Sequence, residues 1–106
     1  MDYRVAFAET EWEPALGGSA RLKRVARGGK VFRLLELTPA SNHPDWCEAR
    51  HMGFVVEGDL EIEFAAKTVR FTAGDAIIIP DGAGDRHRPR ALSGRALMFL
   101  IEDEAA

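Results

Sequence analysis

The sequence predicts an all-β protein, a jelly roll or small closed barrel, and three observations carry that expectation. Ten glycines and five prolines cut the 106 residues into short runs. Several of those runs alternate apolar and polar residues with the period of a half-buried strand. No apolar stripe of helical period persists beyond a turn or two. Many short strands between regular turn signals are the pattern of a sandwich or barrel.

The elements follow in chain order. Residues 3–7 (YRVAF) read as a candidate strand, and ETEWEPALGG after them as a loop or a single helical turn. Residues 19–37 read as a hairpin, because two β-rich runs flank Gly28-Gly29 and adjacent glycines supply the positive φ angles of a tight primed turn. Residues 51–64 read as a second hairpin turning at Glu57-Gly58-Asp59. In its second half Leu60, Ile62 and Phe64 alternate with Glu61 and Glu63, one dry face and one wet. KTVRF (67–71) is a short strand and Thr72-Ala73-Gly74-Asp75 a turn. AIIIP (76–80) is a strand stopped by Pro80, which cannot donate to a ladder. DGAGD (81–85) is a loop, RHRPR leads out of it, and RALMFLIE (95–102) is the last strand. With no repeat, no low-complexity stretch and no second composition, residues 1–106 are expected to form one domain.

Composition narrows the function classes. Hydrophobic residues make up 46% of the chain, enough for one core without disulfide staples. The net charge of -3 argues against nucleic acid or an anionic membrane as the main partner. A single cysteine, Cys47, allows no internal disulfide and fits a reducing compartment. The N-terminus has no basic segment leading into an apolar one, and AIIIP is too short to cross a bilayer, so the expected location is cytoplasmic.

The stretch HPDWCEARHMGFVVEG (43–58) sets Asp45, Cys47 and His51 just ahead of an apolar run. Cys47 and His51 are four residues apart and share a face in either a helix or a strand. His87 sits between Arg86 and Arg88. In a strand, period two turns His87 inward and leaves both cations in water. Barrel closure can then bring positions 47, 51 and 87 together. One thiolate and two imidazoles suit zinc with one open position, and nickel, copper or iron stay in play. Asp45 is a fourth ligand or an acceptor for an imidazole N–H.

Two other readings compete for the same residues. Cys47 with His51 or His87 makes an activated thiol. Alternatively, Cys47 is a small buried hydrophobe and the histidines are satisfied polar groups. His43 reads as a loop residue. Trp46 is expected to pack in the core or at an interface, or else to line the pocket mouth from a loop, and Arg86, Arg88 and Arg90 to form a solvated strand edge rather than a phosphate or carboxylate clamp. Met52, Phe54 and Val56 face away from His51, Gly53 and Val55. Both faces of that strand are therefore apolar and expected to be covered, one by a second sheet and the other by the N-terminal segment or a second subunit.

The segments GFVVEGDLEIEF and FTAGDAIIIPDGAGDRH together resemble the cupin superfamily over about residues 31–101. Cupins carry HxH, three or four residues, Glu, six residues, Gly, and then Gly, five residues, Pro, one residue, Gly, two residues, His. Six residues before Gly58 is His51, at the place of the family's glutamate. Cys47 takes the place of the second histidine and Asp45 that of the first. Gly74 is followed by five residues, then Pro80, Asp81 and Gly82. His87 follows Gly82 after four residues rather than two, or Gly84 after two.

The resemblance implies a cupin-like double-stranded β-helix, a jelly-roll barrel holding a divalent transition metal. It also implies a small-molecule ligand in the barrel and a homodimer. Its members span isomerases, oxygenases, decarboxylases and plain binding proteins, and fold does not choose among them. The expected function is metal-dependent binding or transformation of a small polar molecule. The alternatives are a non-catalytic sensing module and a metal-free cupin.

Overall fold

The computed structural model describes residues 2–41 and 45–104. Among the described residues, nine strands form two antiparallel sheets: β1 (Glu13–Ala15), β2 (Ala20–Arg27), β3 (Lys30–Leu37), β4 (His51–Glu57), β5 (Asp59–Phe64), β6 (Thr68–Thr72), β7 (Ala76–Ile79), β8 (His87–Ala91) and β9 (Ala96–Asp103). The larger sheet runs β1-β2-β3-β9-β4-β7 and the smaller β6-β5-β8. Among the described residues three short 3-10 turns accompany the strands, and no helix there is long and apolar enough to cross a membrane.

The first hairpin forms as the sequence predicts. Gly28 and Gly29 take φ of 62° and 76°, and β2 pairs with β3 from Arg27↔Lys30 to Arg21↔Glu36. The turn after β6 also matches, with the Asp75 amide donating to the Thr72 carbonyl at 3.0 Å and Gly74 at φ 100°.

Two expectations are corrected. Residues 3–6 form no strand, and Phe7 opens a 3-10 turn. A strand begins later, at Glu13, because Glu13 to Ala15 can pair with the free edge of β2. The segment 51–64 is not a hairpin either. β4 pairs with β9 and β7, whereas β5 pairs with β6 and β8, so the chain changes sheets at Gly58. Gly58 takes φ 81°, and a Cβ there would lie 2.1 Å from the Arg95 carbonyl oxygen. This corner needs glycine for its backbone angle and for its lack of a side chain.

The core lies between the sheets. Leu60 and Ile62 of β5 face Val55, Ile77, Ile79, Met98 and Leu100 of the larger sheet. The wet face of β5 carries ion pairs instead, Glu63 with Arg88 at 2.6 Å and Glu61 with Arg90. The arginines of RHRPR thus line the edge of the smaller sheet, where Pro89 is tolerated as well. Trp46 lies on the same outer side, with the Arg88 guanidinium 4.2 Å from its ring centre.

The outer face of the larger sheet is covered only in part. The N-terminal segment packs over β9 through Phe7 and Phe99, whose ring centres are 6.1 Å apart. It is tied down by Lys23 Nζ, which donates to the Phe7 carbonyl at 2.6 Å. Met52, Phe54 and Val56 of β4 remain 44–50% exposed, and Ile78 of β7 is 78% exposed.

Candidate metal centre

The site is assembled by main-chain pairing. Cys47 and His87 form an isolated antiparallel bridge. The Cys47 amide donates to the His87 carbonyl at 2.8 Å, and the His87 amide donates to the Cys47 carbonyl at 2.9 Å. His51 enters from the first position of β4, paired with Ile79. One ligand atom from each of the three side chains lies within 4.8 Å of the others. Cys47 Sγ is 3.4 Å from His51 Nε2, and the two imidazole centres are 4.9 Å apart at 80°. A tetrahedral zinc with one sulfur and two nitrogens sets its ligand atoms about 3.4–3.6 Å apart. The Cys47–His51 spacing already matches.

Each imidazole is oriented from behind. His87 is 3% exposed, and its Nδ1 donates to the Asp85 carbonyl at 2.9 Å. That bond fixes the tautomer and leaves the Nε2 lone pair pointing away. Nε2 is buried and has no hydrogen-bond partner among the described residues. A buried acceptor in that condition is costly unless something is meant to bind it. His51 Nδ1 lies 3.2 Å from Glu102 Oε2, and Glu102 Oε1 is 2.6 Å from Arg33 Nε. A carboxylate behind an imidazole turns its Nε2 toward the site.

Of the residues singled out in the sequence, the structure gathers Cys47, His51 and His87. Asp45 is exposed in a bend two residues before the bridge and stands outside that group. His43 lies outside the described residues. Sequence spacing does not mark Glu102 or Arg33. Glu102 lies far along the chain from His51 and reaches it because β4 and β9 pair, with Met52 opposite Ile101 one step away. The only local signal is a charge at an inward position of an apolar strand.

Below the three side chains is a cavity of about 150 Å³. Leu22, Leu35, Ile62, Ile77, Met98 and Leu100 form much of its wall, and Arg33, Cys47, His51 and His87 are its polar members.

The Cupin domain family model matches residues 34–101 of the chain. Among solved structures, a cupin-2 domain containing protein from Shewanella frigidimarina NCIMB 400 is 24% identical, with TM-score 0.65 over 78% of this chain and 79% of that one. KdgF from Halomonas sp. is 21% identical, with TM-score 0.76 over 97% of this chain and 96% of that one. FeII HppE is 13% identical, with TM-score 0.72 over 95% of this chain and 60% of that one. No curated protein matches. The family match spans more than half of the sequence and takes in both sheets, and the chain belongs to the cupin family.

Proposed function

We propose that this cupin holds one divalent transition-metal ion at Cys47, His51 and His87, and that it binds or transforms a small molecule in the cavity below them. The observation that carries this is His87 Nε2, a buried acceptor with no hydrogen-bond partner among the described residues, beside a thiol and a second imidazole. The donor set favours zinc. Iron is the competing ion, because FeII HppE shares the fold. When bound, such an ion supplies Lewis acidity and an open position for a ligand atom. The chain's own residues orient the donors: Asp85 through its carbonyl, Glu102 through its carboxylate.

Elemental analysis of untagged protein tests this. Wild type is expected to retain about one ion per chain, and Cys47→Ala and His87→Ala to lose it. Equal metal content in all three would remove the site. Catalysis and sensing use the same cavity and differ in turnover. A molecule that raises Tm and leaves unchanged is sensed.

A second reading is favoured by the 3.4 Å contact of Cys47 Sγ with His51 Nε2, which would activate the thiol as a nucleophile. Fast alkylation of Cys47 by iodoacetamide, insensitive to added zinc, would support it over the metal centre.

The exposed stripe of Met52, Phe54, Val56 and Ile78 supports a homodimer through the outer face of β4 and β7. The net charge of -3 supports a partner other than nucleic acid or an anionic membrane, and the single cysteine supports a reducing, cytoplasmic setting.

A further inference from the structure

The cavity says what kind of molecule fits it. Apart from the three clustered side chains, the one polar side chain among its described lining residues is Arg33, and Glu102 already pairs with that guanidinium. No hydroxyl, amide or carboxylate side chain lines it among the described residues. A ligand carrying several hydroxyls would bury them without partners, and unpaired polar groups weaken binding. The polar occupant expected from the sequence therefore finds a partner at one end only. The volume is about 150 Å³. An enclosed aliphatic cavity of that size accepts benzene, and the same volume here sets the body at roughly six to eight heavy atoms.

We infer that the site takes a compact molecule with a hydrocarbon body and a single donor head, of the size and class of phenol. The body lies against Leu35, Ile77 and Met98, and the head points at Cys47, His51 and His87. The body rests on the cavity alone. The head rests on the metal reading above. The described wall offers the hydroxyls of a polyhydroxylated acid no side-chain partner away from that end.

The test uses three probes, benzene, phenol and glucuronate, against zinc-loaded and metal-stripped wild-type protein. Methyl resonances of Leu35, Ile77 and Met98 report occupancy, and calorimetry reports affinity. Benzene is expected to shift those methyls in both forms. Phenol is expected to bind at least about tenfold more tightly to the zinc-loaded form, the factor set by one added ligand bond. Glucuronate is expected to leave the methyls unmoved. Leu35→Phe, which fills the cavity, should abolish benzene binding while zinc content stays at the wild-type level. If that variant does not fold, Ile77→Met tests the same wall.

Zinc retained with benzene unbound overturns this inference and leaves the metal centre standing. Benzene bound with no zinc retained supports the apolar body and overturns both the head and the metal reading. Glucuronate binding as tightly as phenol overturns the inference outright.

Discussion

Replacing Glu102 by glutamine removes one charge from behind His51 and keeps the side-chain shape. The carboxylate is 15% exposed, lies 3.2 Å from His51 Nδ1 and pairs with Arg33 at 2.6 Å. Loss of the charge weakens the contact that aims His51 and leaves the Arg33 cation without its counter-ion. Changes to such supporting carboxylates weaken metal binding by about 10–100-fold, or about 1.4–2.8 kcal/mol. The assay is competition for zinc against a chromophoric chelator at constant pH. Glu104→Gln is the control, since Glu104 is exposed and contributes a backbone amide to Gly29. Glu102→Gln should fall within that range and Glu104→Gln should match wild type. Zinc affinity of Glu102→Gln within twofold of wild type would refute the reasoning, because the carboxylate would then not aim His51.

Three further outcomes are expected. Gly53→Ala should lower stability by at least about 1–3 kcal/mol in urea unfolding, because the new Cβ would lie 1.9 Å from the Phe99 carbonyl oxygen and must push β9 aside. Phe54→Glu should turn a dimer into a monomer in sedimentation without loss of fold. Loss of one central aromatic contact costs roughly 2 kcal/mol of association, and a wild-type monomer would show that β4 is not the interface. Glu36 has its carboxyl held below the usual range, first by the hydrogen bond from Arg21 and then, against the opposing effect of burial, by Arg95. Its stabilisation is complete above the ordinary glutamate value and is lost as pH falls through the lowered one. Glu36→Gln should therefore be less stable than wild type at pH 7 and converge with it in acid; a gap that stays constant down to pH 2 would contradict the assignment.

What could be read from the sequence was local. Gly28-Gly29 announces its hairpin because the turn's backbone angles demand those residues. The alternation of Leu60, Ile62 and Phe64 with Glu61 and Glu63 names its own dry face. The corner at Gly58 was misread for the same reason. A turn glycine between two strands looks alike whether the strands pair with each other or part into different sheets, and that choice is made by β8 and β9 far along the chain. His51 and Cys47 were visible through their four-residue separation and through the resemblance to the cupin pattern counted back from Gly58. His87 was visible because flanking arginines must face water. Glu102 was not, since its neighbour is set by strand register and not by distance along the chain. Asp45 fits the spacing yet sits in an exposed bend, because a bend releases side chains from the strand alternation.

The paired amides and carbonyls joining residues 47 and 87 act as a buckle. Two candidate donors are brought to the same end of the barrel by main-chain pairing alone, so an ion held there would require little further ordering of the polypeptide. An ion bound there would load and unload with the barrel intact, and a chain that fails to seat its eighth strand would separate the sulfur of residue 47 from the nitrogen of residue 87.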